Sequence, residues 1–418
     1  MNKFLFLSLI TVLFLSCKSS EEFTGFSYDP PNVTNTQDRK VKPQYRRIIG
    51  AGDPTVWISN NFEGARANDF YAINDSTFEI YIEPENFPIN NSPWFAFSIW
   101  SDTTRSATLR LNYKDAKHRY IPKITVDDSL YSIDMTKARY DSVSNSLEFD
   151  IELNKIPRTV SAQIVTDSEY YGNWLSKIST KPSVSITEIG TSKLGNPIKE
   201  VTFNEVEPDE AAGVLIIMGR QHPPEVTGFL ASLYFIEELG SDSDLAKEFR
   251  SHFIVRSFPL INIDGVLNGH WRHNAGGVDL NRDWENFNQP ETKAVRDALL
   301  PILNNPLQTV YYGIDFHSTN ENIFYPIDEA VKTTPDNLTQ RWFPLIKEAN
   351  PSVNFVSEEF DTNSPISKNW IFKTFGSDAL TFEMNDILEE DTIEQIARTG
   401  ARSLMQLLIY EKVQNELE

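Results

Sequence analysis

VLIIMGRQHPPEVTGFLASLYFIEEL, residues 214–239, holds two structural periods in one run. Val214–Met218 is a short, wholly apolar stretch, the pattern expected of a strand covered on both faces. Val226–Leu239 switches to helical spacing, with Phe229, Leu233 and Ile236 on one face. Between them lies the polar turn Gly219-Arg220-Gln221-His222-Pro223-Pro224-Glu225. A buried strand that delivers a polar loop into a helix is the repeating unit of an α/β domain, whose sites form where strands end.

The same alternation extends outward from this run. Phe253–Leu260, Val310–Phe316 and Ala379–Phe382 read as further strands, and Thr392–Val413 as a closing amphipathic helix. Residues 169–418 are therefore expected to form an α/β domain with a mixed sheet. Upstream, over residues 46–168, the period changes to two. Phe78, Ile80 and Ile82 alternate with Glu79, Tyr81 and Glu83, and Leu147, Phe149, Ile151 and Leu153 with Glu148, Asp150 and Glu152. Trp94–Trp100 and Thr108–Tyr113 are strand-like runs between them. This predicts an all-β antiparallel sandwich with one wet face.

The N-terminus speaks to compartment. Lys3, the apolar run Phe4–Leu15 and Ser16-Cys17 read as a secretory signal over residues 1–16, too short to span a membrane. The Leu-Ser-Cys ending resembles a bacterial lipoprotein cleavage box, which implies lipidation at Cys17 and a place in the bacterial cell envelope. Cys17 is the only cysteine, so no intramolecular disulfide is available to stabilise the fold. Residues 17–45 are polar and Pro-containing, and read as a tether. The net charge of −21 argues against binding nucleic acid.

Three predicted strand ends carry the chemistry. The first is followed by His222 and Glu225, the second by His317-Ser318 and the third by Glu383. Two imidazoles and a carboxylate leave a coordination position open on a zinc ion, as hydrolytic sites need. Glu383 is then available as general base. The segment between adds Trp271-Arg272 and Gly277-Val278-Asp279-Leu280-Asn281-Arg282. One arginine near such a metal can stabilise an oxyanion, and a second with a neighbouring amide can clamp a carboxylate. Taken singly, a His-x-x-Glu pair or an exposed arginine is more often structural; their joint placement after three apolar strands carries the reading.

Over residues 170–418 the chain resembles the zinc carboxypeptidases of the carboxypeptidase A type. The resemblance rests on His222-x-x-Glu225, Asn262-x-Asp264-Gly265, Trp271-Arg272, Gly277–Arg282, His317-Ser318 and Thr381-Phe382-Glu383, in the family's order. It implies His222, Glu225 and His317 as ligands of one zinc ion, Glu383 as base, Arg272 as carbonyl polariser, and Asn281 and Arg282 as holders of the terminal carboxylate. It implies Asp279 as the acid that orients the first ligand histidine. The leading sandwich, with Trp94-Phe95-Ala96-Phe97, is similar to that of the cytosolic carboxypeptidase branch. One departure stands out: the family's tyrosine nine positions before the tryptophan matched by Trp370 is replaced here by Asp361. That implies weaker substrate binding or a different closing residue.

Lys368, two positions before Trp370, falls where the family faces the departing side chain, so a C-terminal Glu or Asp, or an acidic peptidoglycan-stem residue, is the expected preference. The expected substrates are thus peptides or peptidoglycan stems. Two other readings are hydrolysis of small N-acyl amino acids and a non-catalytic lipoprotein that binds peptide ends or cell-wall fragments.

Overall fold

The computed structural model describes residues 35–127, 129–181, 183–359 and 362–417. The signal segment, Cys17, the start of the tether and Asp361 lie outside the described residues.

The N-terminal strands are β1 (Ile48–Ala51), β2 (Val56–Ser59), β3 (Asp69–Ala72), β4 (Thr77–Ile82), β5 (Ala96–Ser101), β6 (Arg105–Tyr113), β7 (Lys123–Val126), β8 (Ser129–Ser132), β9 (Arg139–Asp141), β10 (Ser146–Leu153) and β11 (Arg158–Ser161). They form two sheets, ordered β1-β2-β5-β11-β7-β8 and β3-β4-β6-β10-β9. Phe78, Ile80 and Ile82 of β4 and Leu147, Phe149, Ile151 and Leu153 of β10 point inward and are buried, as their alternation demands. Pairing is antiparallel throughout except between β4 and β6, which run parallel. The expected antiparallel sandwich is present with that one parallel pair in it: alternation fixes which face is buried but not which neighbour a strand takes.

The C-terminal domain has one eight-stranded sheet, β12 (Val184–Thr191), β13 (Pro197–Phe203), β14 (Ala212–Gly219), β15 (Phe253–Phe258), β16 (Gln308–Thr319), β17 (Asn322–Tyr325), β18 (Phe355–Ser357) and β19 (Asp378–Asn385), in the order β12-β13-β15-β14-β16-β19-β17-β18. The central strands β15, β14, β16 and β19 are mutually parallel, with antiparallel neighbours β13 and β17, so the sheet is mixed. Residues of β14 are buried on both faces. Leu215 and Ile217 join a core with Phe229, Leu233 and Ile236 of the helix Val226–Leu239 and Leu404 and Leu408 of the closing helix (Glu390–Leu417). Val214, Ile216 and Met218 face Val295, Leu299 and Trp370 on the opposite side. Five wholly buried side chains on one short strand contribute roughly 1.5–3 kcal/mol each before chain entropy is counted. The first of these cores runs without a break into the sandwich through Trp94, Phe95 and Phe97.

Residues 35–45 are not the free tether their composition suggests. Thr36 accepts from Asn288 Nδ2 (2.9 Å) through its hydroxyl and from Gln289 Nε2 (2.8 Å) through its carbonyl, and Arg39 N donates to Gly276 O (2.8 Å). Lys42 N donates to Glu85 O (2.7 Å), so the strap crosses from the loops at Gly276 and Gln289 to the sandwich.

Candidate metal centre and active site

The parallel strands β14, β16 and β19 end side by side, and the loops and last residues of those strands build the site. After Gly219 the chain leaves the sheet through Arg220, whose φ of 51° turns it sharply toward the helix. The Arg220 guanidinium braces that turn, donating from Nε to Pro223 O (2.8 Å) and from Nη1 to Thr166 Oγ1 (2.9 Å). Glu225 then occupies the N-cap position of the helix Val226–Leu239, where the helix N-terminus favours a carboxylate. Two positions into the helix, Gly228 is required by contact: a Cβ there would lie 2.1 Å from the carbonyl oxygen of His317. Ser318 Oγ completes the latch, accepting from Gly228 N and from Thr227 Oγ1, both at 2.8 Å.

His317 and Glu383 were expected just after their strands and instead lie inside them, because the β16–β19 ladder continues to Thr319 and Asn385. The two residues are direct partners across that ladder. His222, Glu225 and His317 converge, with one ligand atom from each all within 4.8 Å of one another. His222 Nδ1 is 2.8 Å from Glu225 Oε1, and His317 Nδ1 is 2.7 Å from Glu225 Oε2.

The outer nitrogens test whether this cluster suits a metal. His222 Nε2 donates to Asp279 Oδ1 at 2.9 Å, and His317 Nε2 donates to Asp315 Oδ2 at 2.7 Å. A carboxylate on the outer nitrogen fixes the tautomer and leaves the Nδ1 lone pair facing inward, the arrangement found behind metal-bound histidines. Two such imidazoles and one carboxylate fit zinc with a position left open. Burial pushes the Glu225 carboxyl up, and positive charge on His222 and His317, which a bound cation would supply in their stead, outweighs burial and holds it well below its usual range.

Around this cluster a cavity of about 770 Å³ is lined by Glu383, Arg272, Asn281 and Arg282 as well as the three ligands. Arg272 Nε donates to Asp279 Oδ2 at 2.7 Å, so one carboxylate braces both the first ligand histidine and this arginine. Burial opposes the Asp279 charge, yet Arg272 and His222 keep it well below the ordinary carboxylate range. Asn281 is held by its backbone N–H on Asp279 Oδ1 (2.9 Å) and by its side-chain oxygen, which accepts from Ser367 N (2.9 Å). Burial and the neighbouring Glu225 push the Glu383 carboxyl up to about 7. Its Oε2 is buried and has no hydrogen-bond partner among the described residues.

Lys368 is buried, and its ammonium donates to Pro326 O (2.7 Å). A buried ammonium needs oxygen partners, and Pro326 supplies one. The cavity-lining residue nearest it in sequence is Ile366, and the Pro326 that it holds follows the cavity-lining Tyr325.

Three residues escaped the sequence reading. Asp315 shares the His317 face of β16 by strand period, and an acid inside an apolar strand was the available signal. Gln221 links the loops, donating to Asp315 Oδ2 (2.5 Å) and accepting from Trp284 Nε1 (2.8 Å). Arg119, from the sandwich, lines the cavity and holds Asp386 Oδ2 (2.8 Å) and Ser318 O (3.2 Å).

A zinc carboxypeptidase family profile matches residues 171–403, more than half of the chain. The chain belongs to the zinc carboxypeptidase family. Among curated relatives, human cytosolic carboxypeptidase 2 is 22% identical over 327 residues, covering 68% of this chain and 35% of the human protein. Mouse cytosolic carboxypeptidase 6 is 31% identical over 108 residues, 25% of this chain and 20% of the mouse protein. The chain thus matches a fifth to about a third of the length of these two relatives. A Burkholderia cenocepacia metallo-carboxypeptidase superposes with a TM-score of 0.71 at 18% identity, covering 84% of this chain and 98% of that one. A Pseudomonas aeruginosa metallo-carboxypeptidase in complex with (2-guanidinoethylmercapto)succinic acid gives 0.66 at 18% identity, covering 84% and 98%. At these identities the structural matches speak for the fold of both domains together.

Proposed function

We propose that this chain is a zinc metallocarboxypeptidase that removes single residues from the C-terminus of peptides. The observation that carries the reading is the unpartnered oxygen of Glu383, beside His317 on the neighbouring strand, in one cavity with the metal ligands and three arginines. His222, Glu225 and His317 would hold the zinc ion, which supplies Lewis acidity toward a carbonyl and toward water. Glu383 takes the proton from the attacking water and returns it to the leaving amine. Arg272, braced by Asp279, faces the developing negative charge on the carbonyl oxygen. Arg282 and Asn281 hold the free terminal carboxylate, which is what confines cleavage to the last bond.

The finer proposal is a preference for an acidic departing residue. Its support is Lys368, which follows the cavity-lining Ile366 by two positions and is hydrogen-bonded to Pro326, the neighbour of cavity-lining Tyr325. Attachment to the cell envelope through a lipid on Cys17 is a separate proposal, supported by the apolar run ending at the chain's sole cysteine. The mass of the mature N-terminus tests it directly.

The function is tested with peptides ending in Glu, Lys or Phe, each as free acid and as C-terminal amide, followed by mass spectrometry. The proposal expects loss of one residue from the free acids and none from the amides. Equal cleavage of the amides would refute it. A Glu preference unchanged in Lys368→Asp would remove Lys368 from the account.

A further inference from the structure

The loop that carries Arg272 is held from outside its own domain. Glu85, between β4 and β5 of the sandwich, is wholly buried. Its Oε2 accepts from Trp271 N (2.7 Å), and its Oε1 accepts from both Arg272 N (3.0 Å) and His273 N (2.7 Å). One carboxylate thus satisfies three consecutive backbone donors on either side of, and at, the arginine. Other sandwich groups seize the same loop. Arg66, also buried, donates from Nε to Gly269 O (2.7 Å) and from Nη2 to Asn268 O (3.1 Å), and Trp94 O accepts from Trp271 Nε1 (3.0 Å).

We propose that Glu85 is a positioning residue for catalysis: it acts through the backbone of Trp271–His273 to hold the Arg272 guanidinium where the carbonyl oxygen gains charge. The inference rests on the role given to Arg272 above. It assigns the sandwich a share in the chemistry, since a domain that carries no reacting group supplies the anchor for one that does. Charge-assisted acceptance by a carboxylate is stronger than by a neutral oxygen, and a buried donor left unpaired is costly, so the nest tolerates little drift. Glu85→Gln replaces one of the two acceptor oxygens with an NH₂ donor. The single remaining oxygen can serve Trp271 or the Arg272–His273 pair, but not both.

The test uses the zinc-loaded full chain and a free-acid peptide, with wild type, Glu85→Gln, Arg272→Ala and the double variant. The proposal expects Glu85→Gln to lower kcat at least tenfold, with KM within threefold and zinc content unchanged. In the Arg272→Ala background the same change should cost less than twofold. Independently of activity, amide hydrogen exchange at Trp271–His273 should quicken at least tenfold in Glu85→Gln, while Val214–Met218 stays protected. A kcat within twofold of wild type, or an equal loss in both backgrounds, overturns the proposal. Full activity of Arg272→Ala would instead sink the role of Arg272 itself. Should Glu85→Gln not fold, Glu85→Asp, which keeps the charge and withdraws it by one methylene, takes the same readouts and the same limits.

Discussion

Asp279→Asn separates two jobs done by one carboxylate. In the native protein Oδ1 takes the Nε2–H of His222 at 2.9 Å and the backbone N–H of Asn281 at 2.9 Å, while Oδ2 takes Nε–H of Arg272 at 2.7 Å. All of these are donors, and an asparagine offers them one oxygen and one NH₂. Whichever way the amide turns, a donor faces a donor, so either His222 or Arg272 loses its brace. If His222 loses it, the cost is that of an outer partner of a metal ligand, about 10–100-fold in zinc affinity, or about 1.4–2.7 kcal/mol. If Arg272 loses it, a charge-assisted hydrogen bond worth about 1.5–3 kcal/mol goes, and kcat/KM of the zinc-saturated enzyme falls roughly 10–100-fold. Zinc affinity is read by competition with a chromogenic chelator, and kcat/KM on a free-acid peptide at saturating zinc. At least one of the two must fall tenfold. If both stay within twofold of wild type, the shared-brace account is refuted.

Further outcomes follow from the same geometry. Gly228→Ala puts a methyl into the carbonyl of His317, so it should cost about 1–3 kcal/mol in denaturant unfolding and weaken zinc binding; an unchanged midpoint and affinity would contradict the contact. Glu383 must be ionised to act as base, and burial with Glu225 raises it to about 7. Activity is therefore lost as pH falls through the Glu383 pKa, and because bound zinc lowers that value the acid midpoint of kcat/KM should lie between the ordinary 4.5 and about 7. A profile flat down to pH 4 would rule this base out. Burial pushes Glu85 up, yet its surroundings hold it at about 2 against an ordinary 4.5. Of those surroundings, burial lowers His270 and pulls His273 down to about 4, so near neutral pH Arg66 and the backbone donors do the holding. A lowered carboxyl stabilises the fold fully above its unfolded pKa and loses that stabilisation as pH falls toward its folded one. Wild type should accordingly exceed Glu85→Gln in unfolding free energy by up to about 3 kcal/mol at pH 6, with the gap closing as pH falls from 4.5 toward 2. A pH-independent gap would show that the charge contributes nothing.

What could be read from the sequence depended on whether the information was local. Val214–Glu225 and the helix after it were legible because a both-faces apolar strand and a helical stripe are patterns of neighbours in the chain. His317 and Glu383 were found, but their strands run past them, since polar residues at the buried end of a parallel ladder look like loop. The parallel β4–β6 pair was not legible, because alternation carries no record of the partner strand. Residues 35–45 have tether composition, and only the fold reveals Thr36 and Arg39 pinned to Gln289 and Gly276. Glu85 lies 186 positions from the first amide it holds, and no spacing rule reaches that far. The Lys368 ammonium was read as facing a substrate, and its hold on the Pro326 carbonyl, 42 positions away, left no mark in the sequence.

Hydrolysis at a zinc site with Glu383 as base stands or falls on one comparison. Wild type and Glu383→Gln are loaded with zinc, their metal content is measured, and release of the C-terminal residue from a Glu-ending peptide is followed by mass spectrometry. One zinc per chain is expected in both, because none of His222, Glu225 and His317 is altered, with release by wild type and a loss of about 10²–10⁴-fold in the variant. Release by a zinc-loaded Glu383→Gln within tenfold of wild type would contradict it.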